Sequence, residues 1–423
     1  MRVAAGGPIF RVGRVFLGVA LAGQMALAQA SFPLGNPLAE AVSNAPETVH
    51  LKASQSPALS VSVALLGYSP PGEYYLGRRE ALLSLDFLSE DRLLFTFRVP
   101  GLLRRDQPSG WKETERQIRA LVLSLPSGTV LTESLWTLHD SDRYLWMLPE
   151  GHFLLRDRNE IREGDASLQL RTRMRFSGQV IWLNPDPEGR YLAVETHEPR
   201  AVLGSEGEQS EGPEKENLKL QIVRREDGQV LLESNVEAPR HLALGAGSYL
   251  TSRYGQGLEW QIARFPLTGG FVPTGKVRSS CAPTLDFLGN QEILASGCDT
   301  LGGHRLSALT VHGRPLWENS APDNTVWPLL FSAANGSRVA RESLLMGHPL
   351  SSRNPFSAED VRSQLVEVFD AADGKKTLTV QAWPMLDGGG NVALSPSGKR
   401  VAVLVDGAIR IFDLPTVFGV LVP

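Results

Sequence analysis

The chain repeats one phrase seven times: a short apolar run, a tight polar or glycine-containing turn, and a second apolar run. It reads SLDFLSEDRLLF from Ser84, YLWMLPEGHFLL from Tyr144, VIWLNPDPEGRYLAV from Val180 and HLALGAGSYL from His241. It returns as TLDFLGNQEILA from Thr284, WPLLFSAANGSRVA from Trp327 and VALSPSGKRVAV from Val392. One such unit cannot bury its apolar faces alone, so the copies must stack. Each unit is a β-hairpin, and closing a row of hairpins into a ring removes the strand edges that a linear array would expose. The expected fold is therefore all-β: a seven-bladed β-propeller of four-stranded antiparallel blades, spanning residues 59–423.

Four strands per blade require a second hairpin after each phrase. RALVLSLPSGTVL from Arg119, LKLQIVRREDGQVLL from Leu218, LSALTVHGRPLW from Leu306 and LVEVFDAADGKKTL from Leu365 supply it. Each has an alternating strand, a turn with glycine and another strand, the period-two signal of a half-buried sheet. In blade two the outer strand is expected at residues 169–176. The last blade is short of one strand. Residues 59–66 are expected to add it and close the ring, with residues 417–422 as the competitor.

The last blade, NVALSPSGKRVAVLVDGAIRIFDLP, carries Ser395-Pro396-Ser397-Gly398 and then Ile409-Arg410-Ile411-Phe412-Asp413. It resembles a repeat of the WD40-like and YVTN-like bacterial β-propellers, whose SPDG-type turn precedes an I-x-[IV]-[WF]-D strand. Phe369-Asp370, Phe412-Asp413 and Trp317-Glu318 stand where a typical WD40 repeat has Trp-Asp. The resemblance implies the fold. It implies no activity, because such propellers range from scaffolds to enzymes.

The first thirty residues have the pattern of a secretory signal peptide. Arg2, Arg11 and Arg14 precede an uncharged apolar stretch over residues 15–27, followed by Ala26-Leu27-Ala28 and Ala28-Gln29-Ala30. The stretch is shorter than the ~18 apolar residues of a membrane span. Cleavage is expected after Ala28 or Ala30, giving a secreted or periplasmic protein with no membrane span. Residues 31–58, rich in Ala, Ser and Pro, read as a linker or loosely docked arm. Cleavage removes three arginines and no acids, so the formal charge goes from −4 to −7. An acidic surface has no general attraction for nucleic acid. A monomer is expected.

Cys281 and Cys298 are the only cysteines, and in an exported chain an even count points to a disulfide. If Gly289-Asn290 is a two-residue turn, the cysteines fall on a non-hydrogen-bonded cross-strand pair. Cα atoms there lie about 4.5 Å apart, within bridging reach.

The sequence has no Gly-x-Ser-x-Gly elbow, no His-Glu-x-x-His, no calcium loop and no phosphate-binding glycine loop. Its eight histidines show no metal-ligand spacing. No catalytic residue, metal or cofactor is expected. Asp86 and Asp286 sit in two copies of [Ser/Thr]-Leu-Asp-Phe-Leu and read as caps or bridges between neighbouring blades. Arg171, Arg173 and Arg175 read as charges protecting an outer edge.

Three long insertions carry the functional signal. Residues 99–117, 198–217 and 347–360 each fall between the second and third strands of a blade, so all three decorate one rim. Long loops on a rigid scaffold are where binding residues usually reside. Arg104, Arg105 and Trp111 from the first insertion are the candidate ligand-binding residues, together with Arg143, Arg240, His241, Trp327 and Asn391 at the starts of innermost strands. The expected function is a protein- or peptide-binding module acting through this face. The alternative is an enzyme, a hydrolase or lyase, with an axial site at the same face.

Overall fold

The structure is a computed structural model, and residues 52–68, 82–99, 115–139, 143–198, 217–299, 303–349, 360–382, 390–405 and 407–415 are described. Two strands precede the first blade: β1 (Lys52–Ala53) and β2 (Leu59–Ser62). Blade one is β3 (Ser84–Ser89), β4 (Arg92–Val99), β5 (Arg116–Ser124) and β6 (Val130–Leu138). Blade two is β7 (Leu145–Met147), β8 (Phe153–Asp157), β9 (Glu160–Gly164) and β10 (Arg171–Arg175). Blade three is β11 (Gln179–Pro185), β12 (Tyr191–His197), β13 (Leu218–Arg224) and β14 (Val230–Val236). Blade four is β15 (Leu244–Gly245), β16 (Ser248–Tyr254), β17 (Glu259–Pro266) and β18 (Val272–Arg278). Blade five is β19 (Thr284–Leu288), β20 (Glu292–Cys298), β21 (His304–Thr310) and β22 (Pro315–Ser320). Blade six is β23 (Thr325–Ser332), β24 (Arg338–Met346), β25 (Val361–Asp370) and β26 (Lys376–Ala382). Blade seven opens with β27 (Val392–Leu394), β28 (Arg400–Val405) and β29 (Ala408–Asp413).

Each sheet is an antiparallel meander, as a seven-bladed propeller requires. The fourth strand of blade seven comes from the other end of the chain: β2 pairs with β29, Leu59 opposite Ile411 and Ser62 opposite Ala408. The strand is shorter than expected, since Ala64–Leu66 turn into a 3-10 helix. Residues 417–422 lie outside the described residues. Blade six carries a fifth, two-residue strand, because β1 pairs with β26.

The core is divided by the ring. Seven apolar clusters each join two consecutive blades. Between blades five and six, for example, Leu288 and Leu294 pack with Val339 and Ala371. Strand alternation sends successive side chains to the two seams of a blade, as where Phe87 packs toward blade seven and Leu88 toward blade two.

Cys281 and Cys298 form the disulfide, with Cα atoms 5.4 Å apart. The register behind it differs from the expected one. Leu288 pairs with Glu292, so the turn holds three residues, 289–291, and the hairpin slips by one. The bridge still forms because Cys281 lies ahead of β19, outside the ladder. Buried Ser279 sets the cysteines' approach. Its Oγ donates to the Cys281 carbonyl at 2.6 Å and accepts the N–H of Cys298 at 2.9 Å and of Cys281 at 3.2 Å.

In blade two the outer strand forms where expected, with a β-bulge between Thr172 and Met174. The extra residue is Arg173, which leaves the simple alternation and donates to the carbonyls of Arg225 and Glu226 in blade three.

Candidate functional site

In a blade of this topology, second-to-third connections and the links between blades emerge on one rim, while first-to-second and third-to-fourth connections emerge on the other. The described first-to-second and third-to-fourth connections have no more than six residues each. The three insertions spring from ladder ends that are already closed. Val99 pairs with Gln117, the Glu198 N–H donates to the Asn217 carbonyl at 2.9 Å, and the Gly347 N–H to the Asp360 carbonyl at 2.8 Å. The same connection in blade two is only Arg158-Asn159. Insertion length therefore varies on a scaffold whose strand pairing does not.

Arg104, Arg105 and Trp111 lie outside the described residues. Arg240 and His241 are exposed, and their backbone N–H groups both donate to Glu195 Oε1, at 2.9 and 2.5 Å. His241 stacks on Trp182 with ring centroids 4.2 Å apart. Trp327 lies in β23. Asn391 is fully buried ahead of β27, beside the carboxyl of Glu342. Arg143 is exposed, with its guanidinium 5.1 Å from the centre of the Trp146 ring. These residues therefore do not form one cluster: Arg143 turns to the axis, whereas Arg240 and His241 stay at the lead-in to blade four.

At the axis is a cavity of about 630 Å³. Its lining includes the first-to-second turns of several blades, among them Ser89-Glu90, Pro149–Gly151, Gly289 and Pro396, so it lies toward the tight-turn end of the ring. Asp86 and Asp286 lie near the starts of β3 and β19 and Arg143 ahead of β7, so the cavity also reaches toward the rim that carries the insertions. Arg143, Asp86 and Asp286 line it together. Leu85 and Phe87 pack in the seam with blade seven and Phe287 in the seam with blade four, so alternation sets Asp86 and Asp286 on the opposite faces of their blades, where both line the cavity.

Ser84 Oγ donates to Asp86 Oδ2 at 2.5 Å, and the Phe287 N–H donates to Asp286 Oδ1 at 2.9 Å. These hydrogen bonds are local, not bridges between blades. Asp286 is exposed to the cavity itself but enclosed by the ring. That enclosure raises its pKa to about 6, against the opposing pull of the Phe287 N–H and Arg143. Burial also raises Asp86, against the Ser84 hydrogen bond and Arg143.

The bridging role expected of these aspartates belongs to other residues, on the second strands. Thr96 hydrogen-bonds Tyr144 at 2.6 Å, Arg156 donates to the Ile181 carbonyl at 2.8 Å, and Glu195 takes the two N–H groups of Arg240 and His241. Each is buried and ties its blade to the start of the next. The signal available in sequence was a lone polar residue inside an apolar strand, as in LAVET and VARESLL. That pattern does not tell which neighbour the side chain meets.

No family model and no curated protein matches the sequence. Solved structures do. The uncomplexed acylaminoacyl peptidase of Pyrococcus horikoshii aligns at 11% identity and a TM-score of 0.49, over 80% of this chain and 52% of that one. The WD40 domain of Toxoplasma gondii coronin aligns at 8% identity and 0.48, over 87% of each chain. The β-propeller domain of the Trilobed protease from Pyrococcus furiosus aligns at 13% identity and 0.46, over 80% of this chain and 94% of that one. The chain spans about half the length of the first peptidase. With TM-scores under 0.5, these alignments carry no activity over to this chain.

Proposed function

We propose that this chain is an exported binding module that engages a protein or peptide through the rim carrying residues 99–117, 198–217 and 347–360. One observation supports the reading: the three insertions occupy the same place in the repeat, on ladders closed at Val99–Gln117, Glu198–Asn217 and Gly347–Asp360. Binding residues concentrate on such loops because the scaffold beneath does not depend on them. Arg104, Arg105 and Trp111 belong to the first insertion, and Arg240 and His241 stand exposed at the start of an innermost strand. Export fits a chain with a leader-like first segment and a disulfide between its only cysteines. The alternative, an axial hydrolase or lyase, draws on the raised carboxyl of Asp286 beside Arg143.

The test replaces the connection between Val99 and Gln117 with a tight turn. Capture of partners from the native envelope fraction should be lost, while the thermal midpoint stays within a few degrees, since closure of a shorter loop costs less entropy. A similar change at Ser395–Gly398, on the other rim, should leave capture intact. Parental capture by the loop-shortened protein would refute the assignment of this face.

A further inference from the structure

We infer that two copies of this chain associate edge to edge through β6, the outer strand of blade one, in place of the monomer expected from the sequence. Seven large apolar side chains stand exposed among the described residues, and four of them gather here: Leu65, Val130, Leu131 and Leu135, between 45% and 87% exposed. The last three belong to β6. Leu65 belongs to the 3-10 helix whose Leu66 carbonyl accepts from Arg119 at 3.2 Å, and Arg119 is the residue of β5 opposite Leu135.

The ladder leaves this edge ready to pair. The Leu125 N–H donates to the Asp91 carbonyl on the β4 side, and the Ser124 N–H to the Thr129 carbonyl on the β6 side, each at 2.8 Å. Residues of β5 in step with Ser124 therefore bond to β6, where their partners are Thr132, Ser134 and Trp136. The N–H and C=O groups of Glu133, Leu135 and Thr137 point the other way, to the open edge. An outer strand of this ring does accept an added strand, since β1 pairs with β26 in blade six.

Most other outer strands are guarded. β10 carries three arginines and a bulge, β18 contains Pro273, β22 starts at Pro315, and β26 is covered by β1. β14 opens with the same Val-Leu-x-Glu-Ser as β6, but it has Asn235 where β6 has Leu135; Lys219 and Arg119 stand opposite them. β6 is nine residues long and holds no proline, lysine or arginine. A long apolar edge without such guards is a template for another chain.

The order of side chains along β6 fits a second copy of the same strand, antiparallel about a two-fold axis. Ser134 is the midpoint of β6, so the register centred there is the one that pairs the strand along its whole length. It sets Glu133 opposite Leu135 of the second copy and Thr132 opposite its Trp136, so no like charges meet. A register centred on Glu133 would oppose two carboxylates, which is unfavourable. Arg119 holds Glu133 at 2.8 Å, so this carboxylate enters the contact already neutralised. Ser134 faces its own counterpart in a non-hydrogen-bonded pair, with Cα atoms about 4.5 Å apart. Because the strands run antiparallel, one ring is flipped relative to the other, and the two insertion-bearing rims face opposite ways.

Sedimentation velocity of the whole protein across roughly 1 to 100 µM tests the pairing. A reversible dimer is expected in the upper part of that range. Leu135→Glu should weaken it by about tenfold or more, because the new carboxylate meets Glu133 of the other copy and the apolar contact is lost. Asn235→Glu, at the equivalent position of blade three, should leave it unchanged. Ser134→Cys should give a disulfide-linked dimer on mild oxidation, since the native cysteines are already bridged to each other. Leu135 is exposed, so its replacement leaves the core intact, and circular dichroism and the thermal midpoint check that each variant folds. The inference is overturned if the protein is a monomer throughout, which would leave this edge to a different chain. It is overturned equally if folded Leu135→Glu dimerises as the parent does, or if Ser134→Cys fails to cross-link. No rim partner enters the experiment, so its outcome is independent of the function proposed for that rim.

Discussion

Glu342 shows how much a single residue can reveal about assembly of the ring. It lies on β24 with 3% of its surface exposed, accepts a hydrogen bond from Gln364 at Oε1, and has no partner for Oε2 among the described residues. Burial pushes its pKa from 4.5 to about 7, with Asn391 and Gln364 acting the other way. A carboxyl raised in the folded state stabilises fold relative to unfolded chain most fully below its unfolded pKa. The advantage is lost as pH rises through the folded value. Between about pH 4.5 and 7 the fold should lose on the order of 3 kcal/mol from this group. Glu342→Gln should remove that loss, so the variant gains on the parent at about pH 8 and differs much less at about pH 5. Denaturant midpoints of both proteins at the two pH values check it; a gap independent of pH would sink the idea. Glu195 illustrates the paired case, since its Oε1 takes two backbone N–H groups from the start of blade four.

At the scale of elements, neighbouring blades are keyed at their outer strands as well as through their apolar seams. Trp136 of β6 donates to the Leu168 carbonyl, between β9 and β10. Trp317 of β22 donates to the Ala371 carbonyl, and Asn319 to that of Gly374, both between β25 and β26. Gly374 is required there: its φ is +70°, and a Cβ would come within 2.6 Å of the Trp317 indole. The disulfide works within one blade, across 17 residues of sequence separation. In the chain-entropy picture a loop of this size contributes up to about 3 kcal/mol by restricting the unfolded state. Cys281→Ser with Cys298→Ser should therefore lower the unfolding midpoint without changing the native far-ultraviolet spectrum. Native protein that alkylates at both cysteines before reduction would show the bridge unformed. The expected pairing was right although its register was off by one, because Cys281 stands beyond the end of β19.

At the scale of the whole ring, closure joins strands from opposite ends of the chain. β2 supplies the fourth strand of blade seven from the other end of the chain, and its partner β29 carries Ile409 and Ile411, both buried. Deleting the chain through Ser62 should expose this strand edge and give insoluble or non-cooperatively unfolding protein. Deleting residues 417–422 should leave the thermal transition in place, and the reverse pattern would mean that the other terminus closes the ring.

Blade number, strand period and the source of the closing strand could be read from sequence. Apolar alternation and turn glycines are local, and local chemistry is enough to form a hairpin. The meeting of Asp86, Asp286 and Arg143 could not be read, nor could the tie from Glu195 to the start of the next blade. Asp86 and Asp286 are two hundred residues apart in sequence. Their convergence depends on the ring bringing separate innermost strands together around one cavity. By itself the sequence determined seven hairpin repeats, the cysteine pair and the places where the chain lengthens. Only the tertiary structure decided which side chains share the axial cavity and which are spent joining blades, because both depend on closing the ring.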